Sequence, residues 1–243
     1  MIDEAAAGVF RLGDRDVSWW VVADDSGITV VDGGLPAQIA QLDALLRHLG
    51  RGRSDIVGGV LTHGHIDHVS CLSILQRQHG IPVHVPAADV GLATSKGSLD
   101  RKVLANTWFR PSALRTSVSY ARQGVLRALP LPDPAPLHGD GVRLDQLPGS
   151  PRYLRAPGHT AGSAIFSLDD RGVVFSGDVL VTWDPFTARS GPRTLPAFDN
   201  ADHEAALRAL DRVADTGAEH ILPGHGLAWH GPAAEAAAIA RAA

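Results

Sequence analysis

Cys71 is the only cysteine in the chain, so no disulfide framework can hold the fold together. Lysine is nearly as scarce: Lys96 and Lys102 are the only two, and the other basic residues are arginines. With a formal net charge of −4, the chain lacks the clustered cations that a phosphate backbone demands, which argues against a nucleic-acid partner. No apolar stretch approaches the roughly 20 residues of a membrane span. Met1 to Arg11 is acidic and has no apolar heart of signal-peptide length. Together these absences predict a cytoplasmic protein with no membrane partner. The 243 residues, 44% hydrophobic and 20% charged, suffice for one domain with a sizeable core. Cys71 itself reads as a buried apolar residue of a helix.

Against this plain background one short run stands out. His63, His65, Asp67 and His68 fall within Thr62-His63-Gly64-His65-Ile66-Asp67-His68, directly after Ile56-Val57-Gly58-Gly59-Val60-Leu61. The apolar run is short, β-branched and flanked by glycine, which predicts a buried strand. The four side chains, all ligands of divalent metals, are then expected on the loop leaving that strand, where a rigid element aims them. The pattern recurs downstream. His159 follows Arg152-Tyr153-Leu154-Arg155, Asp178 follows Gly172-Val173-Val174-Phe175, and His225 follows His220-Ile221-Leu222. Each is flanked by glycine, proline or serine, residues that let the backbone turn sharply.

The ordered set His63-x-His65-x-Asp67-His68, His159, Asp178 and His225, with Val30-Val31-Asp32-Gly33-Gly34 upstream, resembles the metallo-β-lactamase fold superfamily of metal-dependent hydrolases. The resemblance runs from about Val9 to about Ala228. It implies an α/β fold, a four-layer αβ/βα sandwich. It also implies that His63, His65 and His159 hold one metal, that Asp67, His68 and His225 hold a second, and that Asp178 bridges them. Two divalent ions follow, with zinc suited to the imidazoles and iron or manganese as other occupants. A metal-bridging hydroxide would attack a carbonyl, with Asp67 orienting it or moving its proton. Asp32 is read either as a buried carboxylate that fixes the metal loop or as a simple turn residue.

The remaining pattern predicts one domain over residues 1–243. Val17–Val22 and Ile28–Val31 read as strands around an Asp24–Gly27 turn. A helix opens at Pro36 and closes at Gly50, and another spans Val69–His79. Ile81–Val85 reads as the next strand, and helices start near Asp202 and Pro232. Residues 86–148 look like an insertion containing Lys96, Lys102, Trp108, Phe109, Arg110, Arg115 and Tyr120, either a helical lid over the pocket or a surface packing element. Val181 to Asn200 reads as irregular. Trp183, Asp184, Phe186, Trp108, Phe109 and His203 are the expected substrate-contacting residues, which predicts a largely apolar pocket.

Within the superfamily, Asp178 stands where β-lactamases carry Cys or Ser. Only a short tail follows His225, unlike the glutathione-thioester hydrolases, and Val181 replaces the tyrosine of many lactonases. The reading is therefore a dinuclear zinc hydrolase of a small lactone, ester or thioester. A mononuclear iron sulfur dioxygenase, and a lyase or binding role at the same site, are the alternatives.

Overall fold

Trp19 and Trp20 are neighbours in the chain, yet they enter different cores. Successive side chains of a strand point to opposite faces, so a strand covered on both sides reads as an unbroken apolar run. The computed structural model, which describes residues 2–95 and 109–243, builds two such sheets. The first contains β1 (Asp3–Ala6), β2 (Val9–Gly13), β3 (Ser18–Asp24), β4 (Gly27–Val31), β5 (Ile56–Val60), β6 (Val83–Pro86) and β7 (Ala135–Leu137), hydrogen-bonded in that order. The second contains β8 (Val142–Arg143), β9 (Arg152–Arg155), β10 (Ala164–Leu168) and β11 (Val173–Gly177), followed by β14 (His220–Pro223) and β15 (Trp229–His230). Between them in the chain, β12 (Val181–Asp184) and β13 (Arg189–Arg193) pair as a separate hairpin.

Three apolar clusters separate four layers. Trp20, Val22, Val31 and Val60 meet Tyr153, Phe166, Phe175 and Leu222 between the sheets. Trp19, Val21 and Val30 pack outward on α1 (Ile39–His48) and α2 (Ile66–His79) through Leu42, Leu45, Leu72 and Leu75. Ile165, Val174 and Ile221 pack on the other side against α5 (His203–Ala214) and α6 (Ala233–Ala242). Two further helices, α3 (Val90–Ala93) and α4 (Pro111–Arg122), lie between β6 and β7. This is the α/β four-layer sandwich expected from the sequence. Among the described residues no helix is long and apolar enough to cross a membrane.

The topology places the metal-binding motifs. Strands β4, β5, β6 and β7 run parallel, as do β11 and β14. The loops after β4, β5, β11 and β14 therefore leave from strand C-termini. A backbone bond from Ala164 N–H to the Thr62 carbonyl (2.9 Å) and one from the Trp20 indole to the Pro223 carbonyl (3.1 Å) join the sheets there.

Three sequence expectations change. Helix α2 begins at Ile66, not Val69, so Asp67 and His68 belong to its first turn rather than to the loop. His65 is its N-cap residue, and the cluster of ligands disguised the helix start. The stretch after Asp178 is not irregular throughout, because β12 and β13 form a hairpin in which Gly191 and Pro192 lie in a strand. A two-stranded ribbon leaves edge positions where proline is tolerated. Finally, residues 86–148 are not one inserted block: β7 completes the first sheet and β8 edges the second. The Pro-rich stretch before β7 lies on α2, where Ser73 and Arg77 donate to the Pro130 carbonyl.

Candidate metal centre

The first sheet delivers four candidate ligands, two of which, His63 and His68, are anchored through one buried carboxylate. Asp32 follows β4 with φ 59°, a left-handed conformation that aspartate tolerates better than most residues. There it accepts from the Thr62 N–H (2.8 Å) and the Thr62 hydroxyl, and it meets His68 Nδ1 at 3.2 Å. Asp32 thus fixes the end of β5 and the ring of His68 together. Thr62 Oγ1 in turn lies 3.1 Å from His63 Nδ1. Asp67, in the first turn of α2, sits where a helix N-terminus favours a carboxylate.

The second sheet supplies the rest. His159 lies between β9 and β10, Asp178 follows β11, and His225 follows β14. Gly224 makes the approach possible. A Cβ there would overlap Asp178 Oδ1 and lie 2.6 Å from His68 Cε1.

All seven residues converge. His65 Nδ1 lies 3.1 Å from His63 Nε2 and 3.0 Å from His159 Nε2. Ligand nitrogens about 3.3 Å apart are what tetrahedral zinc requires at bond lengths of about 2.0–2.1 Å. Asp67 Oδ2 faces His68 Nε2 at 3.7 Å and His225 Nε2 at 3.9 Å. Between the two groups lies Asp178. Its Oδ2 is 3.1 Å from His225, 3.4 Å from His159, and 3.7 Å from both His63 and His68, each measured to Nε2. His68 Nε2 and Asp178 Oδ1 are buried and have no hydrogen-bond partner among the described residues. Orphaned donor atoms of this kind are costly unless a further ligand takes them up. The donor set therefore fits divalent metal: His63, His65 and His159 form one group, and Asp67, His68 and His225 another.

The charges of these side chains divide along the same line. Burial and the neighbouring imidazole of His65 push His159 down to about 3, and burial also carries His63 well below its ordinary value. At His68 burial opposes the charge, but Asp178 and Asp67 raise it to about 9. At His225 the same contest, won by Asp178, ends at about 10. Asp178, although buried, is held well below the carboxylate range by His225, His68 and His63.

The family model described as the metallo-beta-lactamase superfamily matches residues 12–225, which includes every one of these ligands. The chain belongs to the metallo-beta-lactamase superfamily. It is 24% identical to the probable metallo-hydrolase YflN of Bacillus subtilis (strain 168), over 94% of this chain and 87% of that protein. Its fold is similar to that of the metallo-beta-lactamase family protein TTHA1429 from Thermus thermophilus, with a TM-score of 0.67 at 23% identity. That match covers 97% of this chain and 79% of the other. TTHA1623, solved in a di-iron-bound form, is also similar, with a TM-score of 0.58 at 26% identity over 90% of this chain and 92% of that one.

Several residues that support this superfamily site escaped the sequence reading. Asp89 is buried and accepts from the Gly64 N–H, the Thr160 hydroxyl and the Gly162 N–H at 2.7–2.9 Å. Asn200 Oδ1 takes His159 Nδ1 at 3.3 Å, and the Asp16 carbonyl takes His225 Nδ1. With Nδ1–H donated, each ring turns its Nε2 lone pair inward. Tyr120, on α4, donates to Asp67 Oδ2 at 3.0 Å. None carries a local motif, because each acts through backbone or across long chain separations.

The expected substrate residues are scattered. Trp183 is only 3% exposed; its indole N–H donates to Asp16 Oδ1 at 2.9 Å, and the Arg15 guanidinium lies 3.2 Å above its ring. Asp184 is buried and accepts from the Phe186 N–H and the Thr187 hydroxyl of its own turn. His203 reaches the centre only through Asn200, whose Nδ2 lies 3.1 Å from its Nδ1. Phe186 packs edge-on against Phe198 at 5.8 Å, two residues before Asn200. Phe109 is 87% exposed at the entrance to α4. Trp108, Lys96 and Lys102 lie outside the described residues.

Proposed function

We propose that this chain is a dinuclear metal-dependent hydrolase of a small lactone, ester or thioester, with zinc as its metal. The observation that carries the reading is Asp178 Oδ2, one carboxylate oxygen set 3.1–3.7 Å from four imidazole nitrogens of both donor groups. His63, His65 and His159 would hold one ion, Asp67, His68 and His225 the other, and Asp178 would reach both. When bound, such ions polarise a carbonyl and lower the pKa of water from about 15.7 toward about 7.

The chain's own residues do the rest. Asp32, Asn200 and the Asp16 carbonyl lock three imidazoles in the tautomer that offers Nε2. Asp67, with a side chain 14% exposed, is the more open of the two carboxylate ligands. It is the group to take a proton from water and return it to a departing alkoxide or thiolate. Phe186 and Phe198 offer an apolar edge that suits an acyl chain or an aromatic ring. A carbonyl substrate needs no cationic groove, in keeping with the net charge of −4.

The complete second donor group supports two ions rather than one. Nitrogen-rich ligation favours zinc, while the likeness to TTHA1623 makes iron the competing metal. Elemental analysis of the purified protein, followed by a screen of lactones, esters and thioesters, tests the proposal. Two zinc per chain with turnover of one of these classes supports it. One iron per chain, with oxygen uptake on persulfides and no hydrolysis, overturns it in favour of a mononuclear oxygenase. Two metals with no hydrolysis of any of the three classes overturns the substrate assignment and points to a lyase or binding role.

A further inference from the structure

Tyr120 comes from α4, on the far side of the segment between β6 and β7, yet its hydroxyl is 3.0 Å from Asp67 Oδ2. The same hydroxyl lies 3.4 Å from the Asp16 carbonyl, the group that takes His225 Nδ1. A phenol has one proton to donate, and the shorter contact to a carboxylate is the stronger bond. The carboxylate oxygen keeps a second lone pair, which is left facing His68 and His225.

We infer that Tyr120 is a positioning residue for the second metal, holding Asp67 in its ligating rotamer. This rests on the dinuclear reading above. The need for such a partner follows from the surroundings of each ligand. His68 is fixed by Asp32 and His225 by the Asp16 carbonyl. Asp67 sits on the first turn of α2 with its side chain partly open to solvent, so it alone of the three is free to swing out. Tyr120 closes that gap.

The helix that carries it is docked independently. The Thr116 hydroxyl donates to the Pro185 carbonyl at 3.1 Å, and Ser112 donates to the Phe186 carbonyl. The Gln123 amide donates to Asp14 Oδ2 at 2.9 Å and accepts from Gln38. Because α4 is held at several points, the phenol arrives pre-placed rather than by chance contact. The segment that looked like an optional lid thus supplies part of the metal site.

The test uses metal uptake rather than turnover. Metal-free protein is titrated with zinc against a chromophoric chelator, which separates a first and a second binding step. Tyr120→Phe keeps the ring and its packing and removes only the hydroxyl. Loss of a group that orients a metal ligand costs about 10–100-fold in affinity, so the second step should weaken by that factor while the first is unchanged. Ser117→Ala removes a hydroxyl of α4 that bonds within the helix, to the Ala113 carbonyl, without touching Asp67 or the docking bonds, and both its steps should match those of the parent. If Tyr120→Phe leaves the second step intact, or if Ser117→Ala weakens it equally, the positioning role is wrong. If the parent protein takes up only one ion, the dinuclear reading fails instead.

Discussion

Asp89 Oδ2 accepts the Gly64 N–H at 2.9 Å while its Oδ1 accepts the Gly162 N–H at 2.7 Å. One buried carboxylate therefore ties the loop of His63 and His65 to the loop of His159. Asp89→Asn keeps the volume but turns an amide NH₂ against backbone N–H groups that need an acceptor. Leaving a buried donor without a partner, where it had a charged one, costs about 3 kcal/mol. Urea unfolding of the metal-free variant should show that loss, and the first zinc step should weaken with it. A variant as stable as the parent would remove Asp89 from this role.

His225→Ala separates the two donor groups. It takes a ligand from Asp67 and His68 and leaves His63, His65 and His159 complete. The variant should retain one ion per chain by elemental analysis and lose nearly all hydrolysis. Full activity with one ion would show that the second group is dispensable.

Gly224→Ala should be severe although it adds one methyl group. The new Cβ overlaps Asp178 Oδ1 and crowds His68, so the Pro223-Gly224-His225 loop must retreat. Uptake of the second ion should fall at least tenfold. Gly91→Ala is the matched control, since a Cβ there meets open space and the residue is helical. That change should be neutral or stabilising by up to about 1 kcal/mol.

Cys71 should be inert in the folded protein. Burial pushes its thiol well above the ordinary value, Arg53 only partly offsets this, and Sγ donates to the Leu35 carbonyl at 3.3 Å. A thiol-reactive disulfide reagent reads thiolate. It should label Cys71 only after denaturant is added, at neutral and at mildly alkaline pH alike. Rapid labelling of the native chain would mean that α2 opens near the metal loop.

The ligands were legible because their signal is local: an apolar strand, then a ligand beside a glycine. The sandwich followed from the alternation of such strands with periodic helices. What stayed hidden acts at a distance. Asp89 serves loops 25 and 73 residues away, and Tyr120 meets a ligand 53 residues before it. Asp184 and Trp183 follow Asp178 closely enough to suggest a pocket wall. Their polar atoms, however, are satisfied by the hairpin turn and by Asp16. The hairpin itself was obscured by Gly191 and Pro192, which an edge ribbon accepts and a central strand would not.

Each proposed ion site draws its ligands from both halves of the sandwich: two from the loop after β5 and the start of α2, and one from the opposite sheet. A metal held this way is also a rivet across the two halves. Where its metal is scarce, the chain would lose a cross-link as well as a catalyst, so its lifetime in the cell would shorten as its activity fell. Asp178 lies within 3.7 Å of imidazoles from both groups, so a change that moved one proposed site would disturb the other.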